Sequence, residues 1–230
     1  MLAAKIAIAQ LGNIKMLMHS EKSIFTLEYE DLIRDKFNFL VNFFNFEPGD
    51  IFIEILPLEE FERIYRLEKG EEPPSFVVGA ALDNGRIIVL DKKDFIKKQG
   101  HVEEEFEWVI LHEMAHIFVR RLIWPEQAFI WIQEGICEYL SFGHKEFRIK
   151  NFVSFKEVES EDGWNKFNPY QQSGAFFKYL SKKYGNKKIV EFIKGLKENS
   201  KQQIKYFEKV FSGKFKKIEK NFFKEYENTI

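Results

Sequence analysis

The feature that most constrains this chain is a change of periodicity near Glu103. Before it, short apolar runs of strand character are interspersed with amphipathic stretches. After it, strand signals stop and helical spacing runs on to the end. Segments 23–29 (SIFTLEY) and 51–56 (IFIEIL) read as strands, and helical spacing is predicted over 30–46 and 58–68. Turns are expected at 47–50 (E-P-G-D), Lys69-Gly70 and Pro73-Pro74. SFVVGAAL and RIIVL flank Asp83-Asn84-Gly85, the turn chemistry of a β-hairpin. Beyond Glu103, helices are predicted at about 103–121, 126–142, 169–184, 187–199, 203–211 and 215–228, with 144–168 as a polar loop. A small mixed sheet of about three or four strands followed by helices is an α+β architecture. At 230 residues one domain is expected over 1–230, β-rich to about 100 and helical from 101.

Composition narrows the partners. With 35 basic against 36 acidic residues, no global field is available to draw nucleic acid or an acidic lipid surface. Apolar residues make up 45% and include 26 Phe, enough for a sizeable core. The single cysteine, Cys137, excludes an internal disulfide and a Cys-rich zinc knuckle, and reads as a small packed hydrophobe. The opening MLAAKIAIAQLGNIKMLMHS is interrupted by Lys5, Gln10, Gly12 and Asn13 and lacks a clean small-x-small cleavage site, so it does not read as a leader. No apolar run reaches the roughly 18–20 residues of a bilayer span. A soluble cytoplasmic protein is expected, and secretion without disulfides also fits the cysteine count. The Lys-rich, aromatic stretch 201–230 reads as a core stripe with a solvated basic face in preference to a membrane or nucleic-acid helix.

The chemistry concentrates in V-I-L-H-E-M-A-H-I-F, 109–118. His112 and His116 are four apart, one turn above each other on a helix face, a spacing that lets two imidazoles reach one cation. The pattern H-E-x-x-H is an established zinc-helix arrangement, with the Glu free to serve as a base. Here that residue is Glu113, placed to take a proton from water beside the metal. The next helix carries W-I-Q-E-G-I-C-E-Y-L, 131–140, beyond a turn at Trp124-Pro125. Its Glu134 is the expected third ligand, leaving one coordination position open, as catalytic zinc requires. Glu138, one turn on, reads equally as an acceptor for the ring N–H of a ligand histidine or as a solvated helix charge.

H-E-M-A-H, then W-I-Q-E-G-I-C-E-Y, then Y-Q-Q-S-G-A-F-F-K-Y-L at 170–180 resembles the peptidase MA-like gluzincin metallopeptidases. About 75–228 is covered well and 23–74 in pattern only. The resemblance implies a zincin-like fold with a hairpin edge strand packed on the H-E-x-x-H helix. It implies one Zn2+ held by His112, His116 and Glu134, with Glu113 as general base and acid. Tyr170, opening a helix where similar enzymes use a tyrosine, is a candidate oxyanion donor or a packed ring. His144 and Arg148 are lesser options. The aminopeptidase branch has a G-A-M-E-N strand motif; the nearest text here, Gly79 to Asn84, has no Glu, so exopeptidase activity is not supported.

The expected function is therefore zinc-dependent hydrolysis of peptide bonds by a metal-activated water, as an endopeptidase acting on a peptide or protein. The rival is a non-catalytic metal-binding or peptide-binding domain that kept the fold. Strand 75–82 offers an edge for an extended peptide. Gly79 within it reads either as a point of close backbone approach or as a bulge.

Overall fold

The computed structural model describes residues 6–11, 14–19, 25–98 and 100–227. Among them, β1 (Ile6–Leu11) and β2 (Ile14–His19) pair antiparallel, and β2 runs parallel to β3 (Ile51–Leu56). The three-residue strand β4 (Gly79–Ala81) pairs antiparallel with β5 (Arg86–Leu90), which lies parallel to β3, giving the order β1-β2-β3-β5-β4. The mixed sheet is as expected, but among the described residues it has five strands. The additional pair comes from the N-terminal stretch, which as sequence suggested only a failed leader. The 75–82 strand shrinks to β4, although Leu90 N–H still bonds the Val78 carbonyl. Asp83–Gly85 form the turn, with Asn84 at φ 59° and Gly85 at φ 76°, conformations that Asn and Gly reach most readily.

Parallel neighbours need crossovers, and helices supply both. α1 (Phe25–Phe44) joins β2 to β3; α2 (Leu58–Lys69) lies between β3 and the hairpin. The strand expected at 23–29 is overturned: residues 25–29 are the first turns of α1, and 23–24 lie outside the described residues. Tyr29, Ile33, Phe37, Leu40 and Phe44 are buried at spacings of four, four, three and four, so one helical face packs where the local strand propensity of SIFTLEY loses. β5, paired parallel with β3 on one side and antiparallel with β4 on the other, is buried from Ile87 to Leu90 on both faces. Asp94 of the short helix α3 (Lys92–Phe95) caps α2, its Oδ2 accepting Leu58 N–H at 2.9 Å.

The chain divides into two compact units, Met1–Ile117 and Phe118–Ile230, and the division falls inside α4 (Phe106–Ile123). The second unit holds α5 (Ile130–Phe142), α6 (Glu161–Phe167), α7 (Tyr170–Tyr184), α8 (Asn186–Asn199), α9 (Gln203–Val210) and α10 (Phe215–Glu227). Its interior is aromatic. Trp131 meets Phe155 at 4.6 Å between ring centroids, Phe155 meets Phe176 at 4.7 Å, and Phe176 meets Phe222 at 5.2 Å. Each such pair adds about 0.5–1.5 kcal/mol beyond its buried area.

The expected loop 144–168 is a correction, because Phe155–Val158 form a 3-10 turn and α6 follows it. Ser154 and Ser160 cap these pieces through their hydroxyls, and Phe155, Val158 and Trp164 are buried. Seven residues are too few for helical periodicity to emerge. In α10, Phe215, Ile218 and Phe222 face the core while Lys216, Lys217, Lys220 and Lys224 are exposed, which is the expected stripe. No helix among the described residues is long and apolar enough to cross a membrane.

Candidate active site

Acidic residues precede α4 and begin it: Glu103–Glu105 form a 3-10 turn, Glu107 is in the first helical turn, and Arg120 and Arg121 end the helix. Both ends complement the helix dipole. In the first unit α4 is locked at its start by Phe106, whose ring meets Tyr29 of α1 at 5.5 Å and Phe95 of α3 at 5.4 Å. Val109, Ile110, Leu111, Met114 and Ala115 are buried around the motif. The result is a rigid carrier for its polar side chains.

His112 and His116 are 9% and 6% exposed, and their Nε2 atoms are 3.0 Å apart. His112, His116 and the half-buried Glu134 each offer one ligand atom, and these atoms lie within 4.8 Å of one another. Two ligands at about 2.1 Å from a tetrahedral centre stand roughly 3.4 Å apart, so separations of up to 4.8 Å exceed those around a shared cation by little more than about an ångström. Two imidazole nitrogens and one carboxylate oxygen are a donor set that suits zinc. The lone thiol, Cys137, is buried and outside the cluster. The three residues fit a single divalent ion.

Glu113 is half-buried beside them and faces the sheet. Its Oε2 accepts the Ala81 N–H at 2.6 Å, a charge-assisted bond from the edge strand β4. Gly79 lies against the same stem. A Cβ there would stand 2.9 Å from Val109 Cγ1 and 3.1 Å from Glu113 Cγ. Close backbone approach is thus the role of Gly79. The Ala81 contact has no signature in sequence, because any residue but proline carries that donor. Tyr65 of α2, buried and also unforeseen, has its hydroxyl pushed above the ordinary tyrosine range by burial, then by the charges of Glu71 and Glu113.

In the second unit, α5 is fixed from two sides. Gln203 of α9 accepts Phe129 N–H through Oε1 at 2.9 Å and donates through Nε2 to the Gln127 carbonyl at 3.0 Å, anchoring the helix start. Gly135, next to Glu134, lets α7 approach: a Cβ there would meet Phe177 Cδ2 at 2.8 Å and the Ser173 carbonyl at 2.9 Å. Gly174 of α7 does the same in return, with Glu138 Cβ 2.8 Å from where its own would be. Glu138 is half-buried on this seam. Tyr170 begins α7 and sets its ring edge-on to Trp164 at 4.8 Å. His144 and Arg148 are exposed beyond α5, with Arg148 N–H bonded to Gln171 Oε1 at 2.6 Å.

Residues 27–226 match the family described as "Peptidase of plants and bacteria" (BSP). No curated protein matches the chain.

Proposed function

The chain belongs to the BSP family, peptidases of plants and bacteria, and from that membership we propose that it is a zinc-dependent endopeptidase of the gluzincin kind with a zincin-like fold. The observation that carries this reading is the convergence of His112, His116 and Glu134 to within 4.8 Å, with Glu113 beside the two histidines on the same helix. In the proposal these three hold one Zn2+ and leave a coordination position open. Bound there, zinc supplies Lewis acidity that polarises the scissile carbonyl and makes water a better nucleophile at neutral pH.

Glu113 is the general base and acid. Its carboxylate takes a proton from the attacking water and delivers it to the leaving nitrogen as the C–N bond breaks, which returns Glu113 to its starting state. Tyr170 is assigned as donor to the developing oxyanion, and Glu138 as acceptor for the ring N–H of a ligand histidine. Thiolate-rich donors typical of structural zinc are missing from the cluster, which favours catalysis over a purely architectural ion.

The test is zinc content together with casein hydrolysis, for wild type, Glu113→Gln and Glu134→Ala. Near-stoichiometric zinc is expected in wild type and Glu113→Gln, with kcat lowered by about 10²–10⁴-fold in the latter. Glu134→Ala is expected to lose zinc. Zinc retained without hydrolysis across broad peptide libraries would leave the non-catalytic domain as the correct reading.

A further inference from the structure

The edge strand touches Glu113 twice within three residues, once by hydrogen bond and once by steric contact. Val78 and Leu82 carry the ladder bonds to the neighbouring strand: Leu90 N–H to the Val78 carbonyl at 2.9 Å, and Leu82 N–H to the Arg86 carbonyl at 2.7 Å. In an antiparallel pair such groups alternate, so the Gly79 and Ala81 main-chain groups point away from β5. The Ala81 N–H is therefore not part of the sheet. It is aimed outward, and Glu113 Oε2 receives it at 2.6 Å.

A glutamate on a helix has three side-chain torsions to fix before its carboxylate can act as a base, and each left free dilutes the productive geometry. Helix packing alone fixes the first. Contact with Gly79 closes one side of the stem, at 3.1 Å to Cγ and 3.4 Å to Oε1 from a Cβ position that glycine leaves empty. The Ala81 N–H then fixes the carboxylate end by holding Oε2. Oε1 is the oxygen left by this bond to face a proton.

We propose that Gly79 and the Ala81 main chain are positioning groups for Glu113: β4 acts as a splint that sets the carboxylate, with Oε2 held and Oε1 assigned to proton transfer. The inference rests on the reading of Glu113 as general base. It adds a function for β4 that needs no substrate.

Ala81→Pro removes the donor and nothing from the ladder, because proline is tolerated on an edge strand where its missing N–H would face outward. Gly79→Ala keeps the donor but crowds Val109 Cγ1, at 2.9 Å, and the glutamate stem, at 3.1 Å. Both are expected to retain zinc and KM within about twofold while kcat falls about 10- to 100-fold, the cost of misplacing a reacting group by an ångström or less. A second readout does not depend on turnover. In the 1H–15N spectrum of the full chain, the Ala81 amide proton is expected far downfield, and to move upfield in Glu113→Gln, where the acceptor is neutral. Gly79→Ala should move it the same way.

Wild-type kcat in both folded, zinc-loaded variants would overturn the proposal. So would an Ala81 amide proton that is indifferent to Glu113→Gln. If Ala81→Pro does not fold, Gly79→Ala and the amide shift still decide. An inactive wild type with the expected amide shift would instead remove the peptidase reading and leave the contact standing.

Discussion

The interiors of residues 1–117 and 118–230 are made of different material. The first is largely aliphatic: Ile51, Ile53 and Ile55 of β3 and Ile87 to Leu90 of β5 are buried in it, and its buried rings, Phe44, Phe61, Phe95 and Phe106 among them, come from the helices. The second is dominated by rings, with Trp131, Phe155, Phe176, Phe207 and Phe222 each fully buried and joined in one connected cluster. The same contrast appears in how each holds a functional glutamate. Glu113 is set by main chain and glycine from a strand. Glu134 is set through its helix, which is seated on α7 by packing around Gly135 and Gly174. The outward edge of a sheet offers main-chain donors to a side chain, while the interior of a helix has spent its own on itself.

The largest effect should come from the ring cluster. Phe176 contacts Trp131, Phe155, Phe207, Phe215 and Phe222, so Phe176→Ala removes the hub of the second interior. We expect a loss of about 3–5 kcal/mol by denaturant unfolding. A loss no larger than the roughly 0.5–1.5 kcal/mol of trimming Ile53 to Val would erase the contrast between the two interiors.

The two glycines sharpen it further. At Gly79 the atoms that an added Cβ would meet are side chains, Val109 Cγ1 first and the Glu113 stem next, so side chains shift there and Glu113 is displaced among them. At Gly135 one of them is the Ser173 carbonyl, fixed in a helix. Gly135→Ala should therefore cost about 1–3 kcal/mol of stability and loosen zinc retention by shifting Glu134. Thermal unfolding and metal content after dialysis would measure it; an unshifted Tm with full zinc would mean that α5 and α7 are not close-packed as described.

What was legible in sequence follows the same division. Long helices with an apolar stripe announced themselves, and α4, α5 and α7 to α10 lie close to where their spacing predicts. The helix that carries Glu134 was readable from its spacing, and the structure brings Glu134 to the two histidines. The β1–β2 pair was not read, although its partners are local: only Gly12-Asn13 separate the two runs, a hairpin spacing that the interruptions at Lys5 and Gln10 and the likeness to a leader obscured. The start of α1 was misread because β-branched and aromatic residues favour strands locally, while burial of Tyr29 and Ile33 on one face decides for helix. The splint on Glu113 was invisible for a simpler reason: a main-chain N–H is the same in every residue but proline.

The smallest expected effect opposes one carboxylate in each unit. Glu219 of α10 is 9% exposed and accepts Phe155 N–H at 2.8 Å and Ser154 Oγ–H at 3.3 Å. Burial nonetheless raises its carboxyl above the ordinary 4.5, overcoming these bonds and the pull of Lys216. Asp94 is also penalised by burial, but Lys97 and the Leu58 N–H outweigh it and hold its carboxyl below 3.8. The signs follow from proton counting. In folded protein Glu219 binds more protons than in the unfolded chain, so its contribution is fully present below pH 4.5 and is lost as pH rises through the raised value. Asp94 binds fewer, so its contribution is present above pH 3.8 and is lost as pH falls through the lowered one. Unfolding of Glu219→Gln and Asp94→Asn across pH 3 to 7 should therefore give difference curves against wild type that slope in opposite directions. Gln keeps an acceptor for Phe155 N–H, so the Glu219→Gln curve isolates the charge. Curves of the same slope would mean that the Glu219 carboxylate is held by its donors as firmly as Asp94 is, and that burial among rings does not distinguish the second interior electrostatically.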